Sequence, residues 1–257
     1  MRKLAISLSK GGVGKSTTAI HLAHGLAMSG SSVLLVDTDT QGQCAPFLGV
    51  RPAAGLAELV DGSVQPEEAI IEARERLWLL AGGRGLAGVK MTIARQELGG
   101  ERTLQEALEP LAGKYDYLIL DTAPGWDSLT IAALFCATEI LAPVSMEVAS
   151  VLGLMEFRKS LEAVQKYHKQ LSLRYVLPTF MDGRVRKSEE ILSQLKAHVG
   201  ELLCEPIRYS VRLSEAPGHG LTAFEYAPDS QGAEDYQKLT RRIRRDASQK
   251  ADTGHHG

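Results

Sequence analysis

Short runs of apolar residues recur along the chain and predict the strands of a sheet that is buried on both faces. A strand covered on one face alternates apolar and polar residues, whereas a strand covered on both faces is a nearly continuous apolar run. The predicted strands lie at residues 4–8, 32–37, 76–80, 115–121, 139–144 and 173–177. The predicted helices, with apolar residues at helical spacing, lie at residues 18–28, 56–60, 66–73, 85–96, 102–111, 150–168 and 188–199. This alternation of strands and helices is typical of α/β proteins.

A glycine-rich segment, residues 9–17, joins the first predicted strand to the first predicted helix. Strand, loop and helix in this order are the context that a phosphate-binding loop requires. Its glycines let successive N–H groups point at one spot, and the helix N-terminus adds partial positive charge. We expect Lys15 to reach the β- and γ-phosphates of ATP and the Ser16 hydroxyl to bind Mg²⁺. The expected nucleotide-binding residues of the loop are Gly11, Gly12, Val13, Gly14, Lys15, Ser16 and Thr17.

Two carboxylates follow apolar runs and are candidates for a metal site. Asp39 lies just after the strand at 32–37, and Asp121 ends the strand at 115–121. Ligands of open α/β sheets bind at the carboxyl ends of the strands. A carboxylate at the end of an apolar strand is also the Walker B arrangement, which holds Mg²⁺. The alternative is an aspartate that only caps the next turn.

Several segments resemble the deviant Walker A ATPases, the group that holds ParA, MinD and the nitrogenase iron protein. Residues 10–16 match the K-G-G-x-G-K-S/T pattern of that group, and residues 121–125 match its D-T-A-P-G switch loop. Residues 37–42 resemble its D-x-D-P-Q-G segment, with threonine in place of proline. Residues 205–217 and 231–236 resemble segments of the short, chromosomal ParA type. The resemblance implies a single doubly wound, mostly parallel sheet with helices on both faces, as in other P-loop NTPases.

For the active site, the resemblance implies three catalytic residues. Lys10 would cross a dimer interface to the partner's nucleotide, Lys15 would bind phosphate, and Asp39 would help to activate the attacking water. Glu147 would lie at the dimer face and reach the partner's ribose, although a solvated glutamate at a strand end is an equal alternative. The implied nucleotide ligands therefore include Lys10 and Glu147. The implied metal ligands are Ser16, Asp39 and Asp121.

The implied function is that of an ATPase that dimerises with ATP and binds double-stranded DNA without sequence preference. Such a protein partitions or positions a chromosome, a plasmid or a cellular cargo. Hydrolysis would be slow alone and stimulated by a ParB-like or cargo-adaptor protein, and it would reopen the homodimer. Which cargo is positioned stays open at this point.

Basic residues in the last third of the chain are candidates for DNA contact. Arg184 and Arg212 stand where the family has DNA-contacting arginines, and Arg186, Lys187 and Arg208 lie nearby. Contacts to phosphates alone would be independent of sequence and steeply dependent on salt. The predicted C-terminal helix is also basic, but such a run is equally consistent with a solvated face.

Composition narrows the function classes. The 257 residues are 44% hydrophobic and 23% charged with a net charge of −2, which excludes a surface that is basic throughout but not a local basic patch. No apolar stretch approaches the roughly 18 residues of a membrane span, and the N-terminal run is too short for a signal peptide. We therefore expect a cytoplasmic protein, and the resemblance to ParA proteins implies association with the nucleoid. Three scattered cysteines fit a reducing compartment and are expected to be buried, namely Cys44, Cys136 and Cys204.

We expect one ATPase domain over residues 1–246 and a polar, disordered tail over residues 247–257. No chemical role is assigned to residues 50–112, and none to Trp126 or Asp127.

Three other functions deserve comparison. A membrane-associated positioning ATPase like MinD needs bulky apolar anchors on a C-terminal amphipathic helix, and only Tyr236, Leu239 and Ile243 form a thin stripe there. No membrane partner is therefore expected. An iron–sulfur reductase needs a pair of cluster cysteines, and Cys136 has no second ligand. An ATP-dependent ligase on the same scaffold stays open.

Overall fold

Seven strands form one sheet in the computed structural model, which describes residues 1–253 and the side chains of residues 1–248. Strands β1 to β7, in chain order, are Arg2–Ile6, Val33–Asp37, Ile70–Arg74, Leu77–Leu80, Tyr117–Asp121, Glu139–Ser145 and Ser172–Thr179. Their order across the sheet is β3-β4-β2-β5-β1-β6-β7. Neighbouring strands are parallel except β3 and β4, which are antiparallel.

Helices cover both faces of the sheet. Helices α1 to α12, in chain order, are Lys15–Met28, Cys44–Phe47, Leu56–Asp61, Pro66–Ala69, Leu86–Arg95, Thr103–Leu108, Ser128–Cys136, Val148–Gln165, Arg186–Val199, Val211–Glu215, Ala223–Tyr226 and Gln231–Thr253. The short turns of 3-10 helix are Gly100–Arg102, Glu109–Leu111, Gly200–Leu202 and Ala216–His219. The predicted fold class, a doubly wound and mostly parallel sheet, is confirmed.

Each face of the sheet has its own hydrophobic core, because successive strand residues point to opposite faces. In β2, Leu34 and Val36 belong to the core that includes α5, α7 and α8. Val33 and Leu35 belong to the core that includes α1 and α12. All four side chains are fully buried. Burial on both faces explains why the sequence of this strand is a continuous apolar run.

The register of the central strands brings three functional segments to one edge of the sheet. β5 lies between β1 and β2, and Asp37 pairs with Asp121 at the carboxyl ends of β2 and β5. The phosphate loop leaves the carboxyl end of β1, where Ile6 also pairs with Asp121. The loop and the two carboxylates therefore meet where α/β sheets bind their ligands.

The predicted helix at residues 66–73 is wrong in its second half. The helix ends at Ala69, and residues Ile70–Arg74 form the edge strand β3. Pro66 and the Glu68 carboxylate, which accepts the N–H of Gln65 at 2.9 Å, begin one helical turn. The β-branched pair after it then finds backbone partners on β4, so tertiary pairing overrides the local pattern.

The predicted and observed helices differ at three further places. The sequence reasoning missed α7, which Asp127 caps by accepting the N–H of Thr130 at 2.8 Å. The predicted helix at 102–111 is helical throughout, but its two ends are 3-10 turns around α6. The predicted helix at 150–168 lies at Val148–Gln165.

The C-terminal helix extends beyond the domain boundary expected at residue 246. α12 continues to Thr253, and residues 254–257 lie outside the described residues. Over residues 1–253, no helix combines the length and the apolar character needed to cross a bilayer. The three cysteines are buried, as predicted.

Candidate active site

The backbone conformations of its glycines and a hydrogen bond from β7 fix the structure of the phosphate loop. Gly12 and Gly14 have φ angles of 72° and 85°, and Gly14 caps α1. A side chain costs about 1–2 kcal/mol in this left-handed region, so glycine is required. The Thr179 hydroxyl of β7 donates to the carbonyl of Val13 at 3.0 Å. The first N–H groups of α1 have no helical acceptors and are available to phosphate oxygens.

Lys15 lies across the loop that it follows. Its Nζ donates to the carbonyl of Lys10 at 2.9 Å, and its side chain is largely buried. Burial lowers the pKa of Lys15, while the carboxylates of Asp121 and Asp39 act in the opposite direction. The Lys15 ammonium is therefore placed to bind the phosphates of a nucleotide that carries Mg²⁺. Val13 is buried in the core, so it offers its backbone only.

Asp37 and Asp121 form a buried carboxylate pair. Both side chains are fully buried. The Oδ1 of Asp37 accepts the N–H of Asp39 at 2.9 Å, and its Oδ2 accepts the N–H of Cys44 at 3.0 Å. Burial raises the pKa of both carboxyls, and for Asp121 the charge of Asp37 adds to the increase. Both oxygens of Asp37 therefore accept hydrogen bonds, whereas the Oδ1 of Asp121 accepts none from the described residues.

The free oxygen of Asp121 fits a divalent cation. Its Oδ1 is buried and has no hydrogen-bond partner among the residues that the structure describes. The nearby Ser16 hydroxyl opposes the increase in the pKa of Asp121. Hydroxyl and carboxylate oxygens are ligands that Mg²⁺ prefers. Ser16 and Asp121 are thus the pair that would hold Mg²⁺. Asp39 is nearby and is more exposed than Asp121.

Cys44 is a neighbour of this pair that the sequence reasoning did not connect with it. Its Sγ lies 3.5 Å from the Oδ2 of Asp121, and the two carboxylates raise the pKa of the thiol beyond the effect of burial. The thiol is therefore a donor to Asp121. No spacing in the sequence indicates this contact, because 77 residues separate the two.

Asp39 opens onto the same cleft as the phosphate loop. The cleft has a volume of about 630 Å³, and Gly11, Gly12, Gly14, Lys15, Ser16, Thr17 and Asp39 all line it. The Oδ1 of Asp39 accepts the N–H of Gln41 at 2.9 Å. The structure therefore brings Asp39 and the loop together, as the sequence predicted.

Lys10 does not line its own phosphate cleft, and its ammonium contacts residues at the start of α8. Its Nζ lies 2.7 Å from the Oε2 of Glu147 and 2.8 Å from the hydroxyl of Ser150. Ser150 is buried, and its Oγ is 2.6 Å from the Oγ of Ser145. The pair is at the surface, because the side chains of Lys10 and Glu147 are 29% and 66% exposed. Lys10 and Glu147, expected separately at a dimer face, are therefore in contact within one subunit.

A smaller cavity adjoins the phosphate loop on the other side of Thr17. It has a volume of about 160 Å³ and is lined by Gly14, Thr17, Phe180, Tyr236 and residues 207–214 in part. Phe180 has a φ of 56°, a strained conformation for a residue with a side chain. Its ring lies 3.8 Å from the position that a β-carbon on Gly14 would take. The sequence reasoning missed this cavity.

The two residues without a predicted role, Trp126 and Asp127, are structural. The Trp126 ring stacks on Phe157 of α8 at a centroid distance of 5.0 Å. Asp127 caps α7 and its Oδ2 lies 2.7 Å from the Nζ of Lys90. Lys90 comes from α5 and lines the phosphate cleft together with Asp127. The switch loop at 121–125 is thereby anchored to the helix that follows it.

Four of the five residues expected to contact DNA have exposed side chains. Arg184 pairs with Asp182 at 2.9 Å, and Arg212 pairs with Glu215 at 2.7 Å. The side chains of these arginines are 87% and 57% exposed. Ion pairs this exposed are screened by solvent and salt, so they exchange readily for another anion. The other two exposed residues are Arg186 and Lys187.

Arg208 is held more tightly than the other four. Its guanidinium bonds both oxygens of Asp235, at 2.7 and 2.9 Å, and reaches Glu234 at 2.6 Å. Asp235 is buried, and the pair fastens the segment before α10 to α12. The geometry assigns Arg208 a structural role in addition to any contact with an anion.

Comparison with known proteins agrees with this geometry. A family model described as an AAA domain (AAA_31) matches residues 1–173. The chain is 37% identical to the chromosome-partitioning ATPase Soj of Thermus thermophilus over 95% of both chains. It is 34% identical to the sporulation initiation inhibitor protein Soj of Bacillus subtilis, over 93% of this chain and 97% of that one. Among solved structures, cobyrinic acid a,c-diamide synthase from Mycobacterium smegmatis with bound ATP analog and magnesium is 30% identical over 95% of each chain, with a TM-score of 0.82.

Proposed function

This chain belongs to the ParA/Soj family of P-loop ATPases, and from that membership we propose that it partitions or positions a cargo by ATP-gated binding to DNA. The protein hydrolyses ATP and uses Mg²⁺ as its cofactor. One observation carries the proposal. The ammonium of Lys10 contacts Glu147, whose side chain is 66% exposed, and Lys10 does not line its own phosphate cleft.

Within one subunit, each polar group has a separate task. The amides at the start of α1 and the Lys15 ammonium bind the β- and γ-phosphates. Ser16 and Asp121 hold the metal, whose chemistry when bound is to neutralise charge on those phosphates. Asp39 orients the attacking water from the open side of the cleft. The cavity under Phe180 binds the base.

Between two subunits, Lys10 supplies the contact that depends on the nucleotide. Release of the Lys10–Glu147 ion pair costs about 0–1 kcal/mol, and loss of the bond to the Ser150 hydroxyl adds about 0.5–1.5 kcal/mol. In return, Lys10 reaches the phosphates of the partner subunit's nucleotide, where a charge-assisted bond is roughly twice as strong as a neutral one. The closed homodimer therefore forms with ATP and reopens after hydrolysis, which a ParB-like or cargo-adaptor protein stimulates.

DNA binding follows from closure of the dimer. Arg184, Arg186, Lys187 and Arg212 of each subunit form an exposed basic surface whose ion pairs are weak. Two such surfaces on one dimer act together through effective concentration. Binding to phosphates alone is independent of sequence and falls steeply with salt. This surface would place the protein on the nucleoid.

The experiment that tests the proposal uses Asp39→Ala, which removes the group that orients water but leaves the ligands of ATP in place. With ATP and Mg²⁺ at low salt, we expect a stable dimer, no hydrolysis, and persistent retention on a non-specific DNA duplex. Light scattering measures the dimer, phosphate release measures hydrolysis, and biolayer interferometry measures retention. The matched control is Lys15→Ala/Asp39→Ala, which should neither bind ATP nor dimerise. A monomeric Asp39→Ala that ignores DNA would contradict the proposal.

A second candidate function is an ATP-dependent synthase. The structure from Mycobacterium smegmatis bears the name of a diamide synthase, and it shares 30% identity and the fold. ATP turnover that requires a small carboxylic acid and ammonia or glutamine, and that ignores DNA, would favour this candidate.

The membrane-associated alternative has less support from the structure. The apolar residues of α12, Tyr236, Leu239 and Ile243, are buried against the core that contains α1. A helix that binds in the bilayer interface presents such residues to lipid. Flotation with anionic vesicles in the presence of ATP, run beside DNA retention, separates the two functions.

A further inference from the structure

A long groove separates α9 from α12, and the ATPase reaction uses none of its residues. We call it the α9–α12 groove. Its volume is about 870 Å³. Its walls carry five cations, Lys196, Lys238, Arg241, Arg242 and Arg245. Its floor includes the apolar side chains of Leu192, Leu203 and Leu239.

The groove concentrates positive charge on a chain that is slightly acidic as a whole. Five cations line it against one acid, Glu205, whereas the net charge of the chain is −2. Lys196 and Arg241 are exposed and have no ion-pair partner over residues 1–248. Mutual repulsion opposes such a cluster, so an anionic ligand would relieve an existing cost.

The other cations of the groove are fixed by local contacts. Arg242 donates to the carbonyls of Leu203 and Glu201 and lies 5.5 Å from the ring centre of Tyr175. Carbonyl acceptors leave its charge unneutralised. Lys238 pairs with Glu234, and Arg245 pairs with Asp246, both at the rim. The wall on α12 is therefore ordered before any ligand binds, which reduces the entropy lost on binding.

The groove lies toward the edge of the sheet opposite to the nucleotide. The carbonyl of Ile243, between the groove residues of α12, accepts a hydrogen bond from Arg2 at the amino end of β1. The phosphate loop leaves the other end of the same strand. Lys196 lies ten residues beyond Arg186 on α9, about 15 Å along the helix. Closure of two subunits across their nucleotides leaves the groove open.

We propose that the α9–α12 groove docks an acidic amphipathic segment of another protein, with carboxylates along its flanks and apolar residues facing the floor. A single helix is narrow enough to lie between two helices and to use the apolar floor. A DNA duplex offers phosphates on a wide convex surface and nothing that pairs with Leu192 or Leu203. A bilayer would need exposed apolar anchors, which α12 lacks over its described side chains. Docking goes beyond the proposed function and needs no ATP.

The test measures binding of a labelled synthetic peptide to the full chain by fluorescence anisotropy. The peptide is a helix of about 14 residues, roughly four turns, with Leu at helical spacing and Glu elsewhere. We expect Lys196→Glu/Arg241→Glu to weaken its binding by about tenfold or more at ~150 mM salt. Arg244→Glu, an exposed change on α12 outside the groove, should leave it unchanged. Both variants should keep ATP-dependent retention on DNA, which separates this proposal from the function above.

Several outcomes would overturn the proposal. One is that the wild type and the double variant bind the peptide equally well. Another is that the wild type binds a scrambled peptide of the same composition as tightly as the designed helix. Loss of DNA retention in Lys196→Glu/Arg241→Glu without an effect on the peptide would assign the groove to nucleic acid. Loss of binding to phosphatidylserine vesicles alone would assign it to a membrane surface.

Discussion

Replacement of Asp121 by asparagine should stabilise the metal-free protein while it abolishes hydrolysis. The carboxylate is fully buried, its Oδ1 has no partner among the described residues, and Asp37 lies beside it. Asparagine keeps the shape of the side chain and carries no charge. The substitution therefore removes a cost that the fold bears for metal binding, a common relation between stability and function.

The expected change in the free energy of unfolding follows from the burial of the Asp121 carboxylate. A buried unsatisfied group costs about 1–3 kcal/mol, and more when it is charged. Asparagine still places a polar atom at the Oδ1 position, but it removes the charge that burial and Asp37 oppose, so we expect Asp121→Asn to gain about 1–3 kcal/mol at neutral pH. Burial, and then the charge of Asp37, raise the pKa of Asp121 in the folded protein. The folded state then holds the proton to a higher pH than the unfolded chain, so stability falls as pH rises through that window. The gain in Asp121→Asn should therefore be larger at pH 7.5 than at pH 5.

The assay is urea denaturation in EDTA at both pH values, with Asp37→Asn as the matched comparison. Both oxygens of Asp37 accept backbone N–H groups, from Asp39 and Cys44. An asparagine there would turn one acceptor into a donor that faces an N–H, at a cost of about 1–3 kcal/mol. Asp37→Asn also removes a buried charge, but this lost acceptor offsets the gain, so Asp121→Asn should be the more stable of the two variants.

Two results would refute this reasoning. If Asp121→Asn is less stable than the wild type in EDTA, or if Asp37→Asn gains as much, the unpartnered oxygen does not carry the cost. If Asp121→Asn hydrolyses ATP at the wild-type rate with Mg²⁺, the metal assignment is wrong.

Three further predictions concern phosphate, DNA and pH. Lys15→Ala should abolish ATP binding in calorimetry, and tight binding would contradict the assignment of the loop. Arg212→Ala should lose retention on DNA while it still dimerises with ATP, and unchanged retention at moderate salt would remove it from the surface. Burial lowers the pKa of His21 to about 4, and its ring bonds the carbonyl of Thr17 and the N–H of Ala223. The neutral ring stabilises the fold above pH ~6.5, and this contribution falls by about 2 kcal/mol between pH 7 and 5. In urea titrations His21→Gln should lose that part of the pH slope, and an unchanged slope would contradict it.

The phosphate loop and the buried strands could be predicted from sequence because their signals are local. Glycines at fixed offsets from Lys15 and a continuous apolar run before Asp121 each describe one segment and its immediate surroundings. Once both segments are strand ends in a parallel sheet, their meeting at one edge follows from topology. Asp39 was placed in the cleft by the same argument.

Contacts between distant segments could not be predicted from those signals. The bond of Lys10 to Glu147 joins residues 137 apart, and the cavity beside Thr17 combines the phosphate loop with Phe180 and Tyr236. Strand β3 was missed because residues 70–74 have little periodicity of their own and depend on β4 for pairing. In each case the partner, and not the local pattern, decides the structure.

The central claim is that the nucleotide joins two subunits through Lys10 and that only the pair binds DNA. The most direct measurement compares the mass of Asp39→Ala with that of Lys10→Ala/Asp39→Ala by light scattering, with ATP and Mg²⁺ present. The account predicts a dimer for the first variant and a monomer that still binds ATP for the second. An equally stable dimer without Lys10 would contradict it.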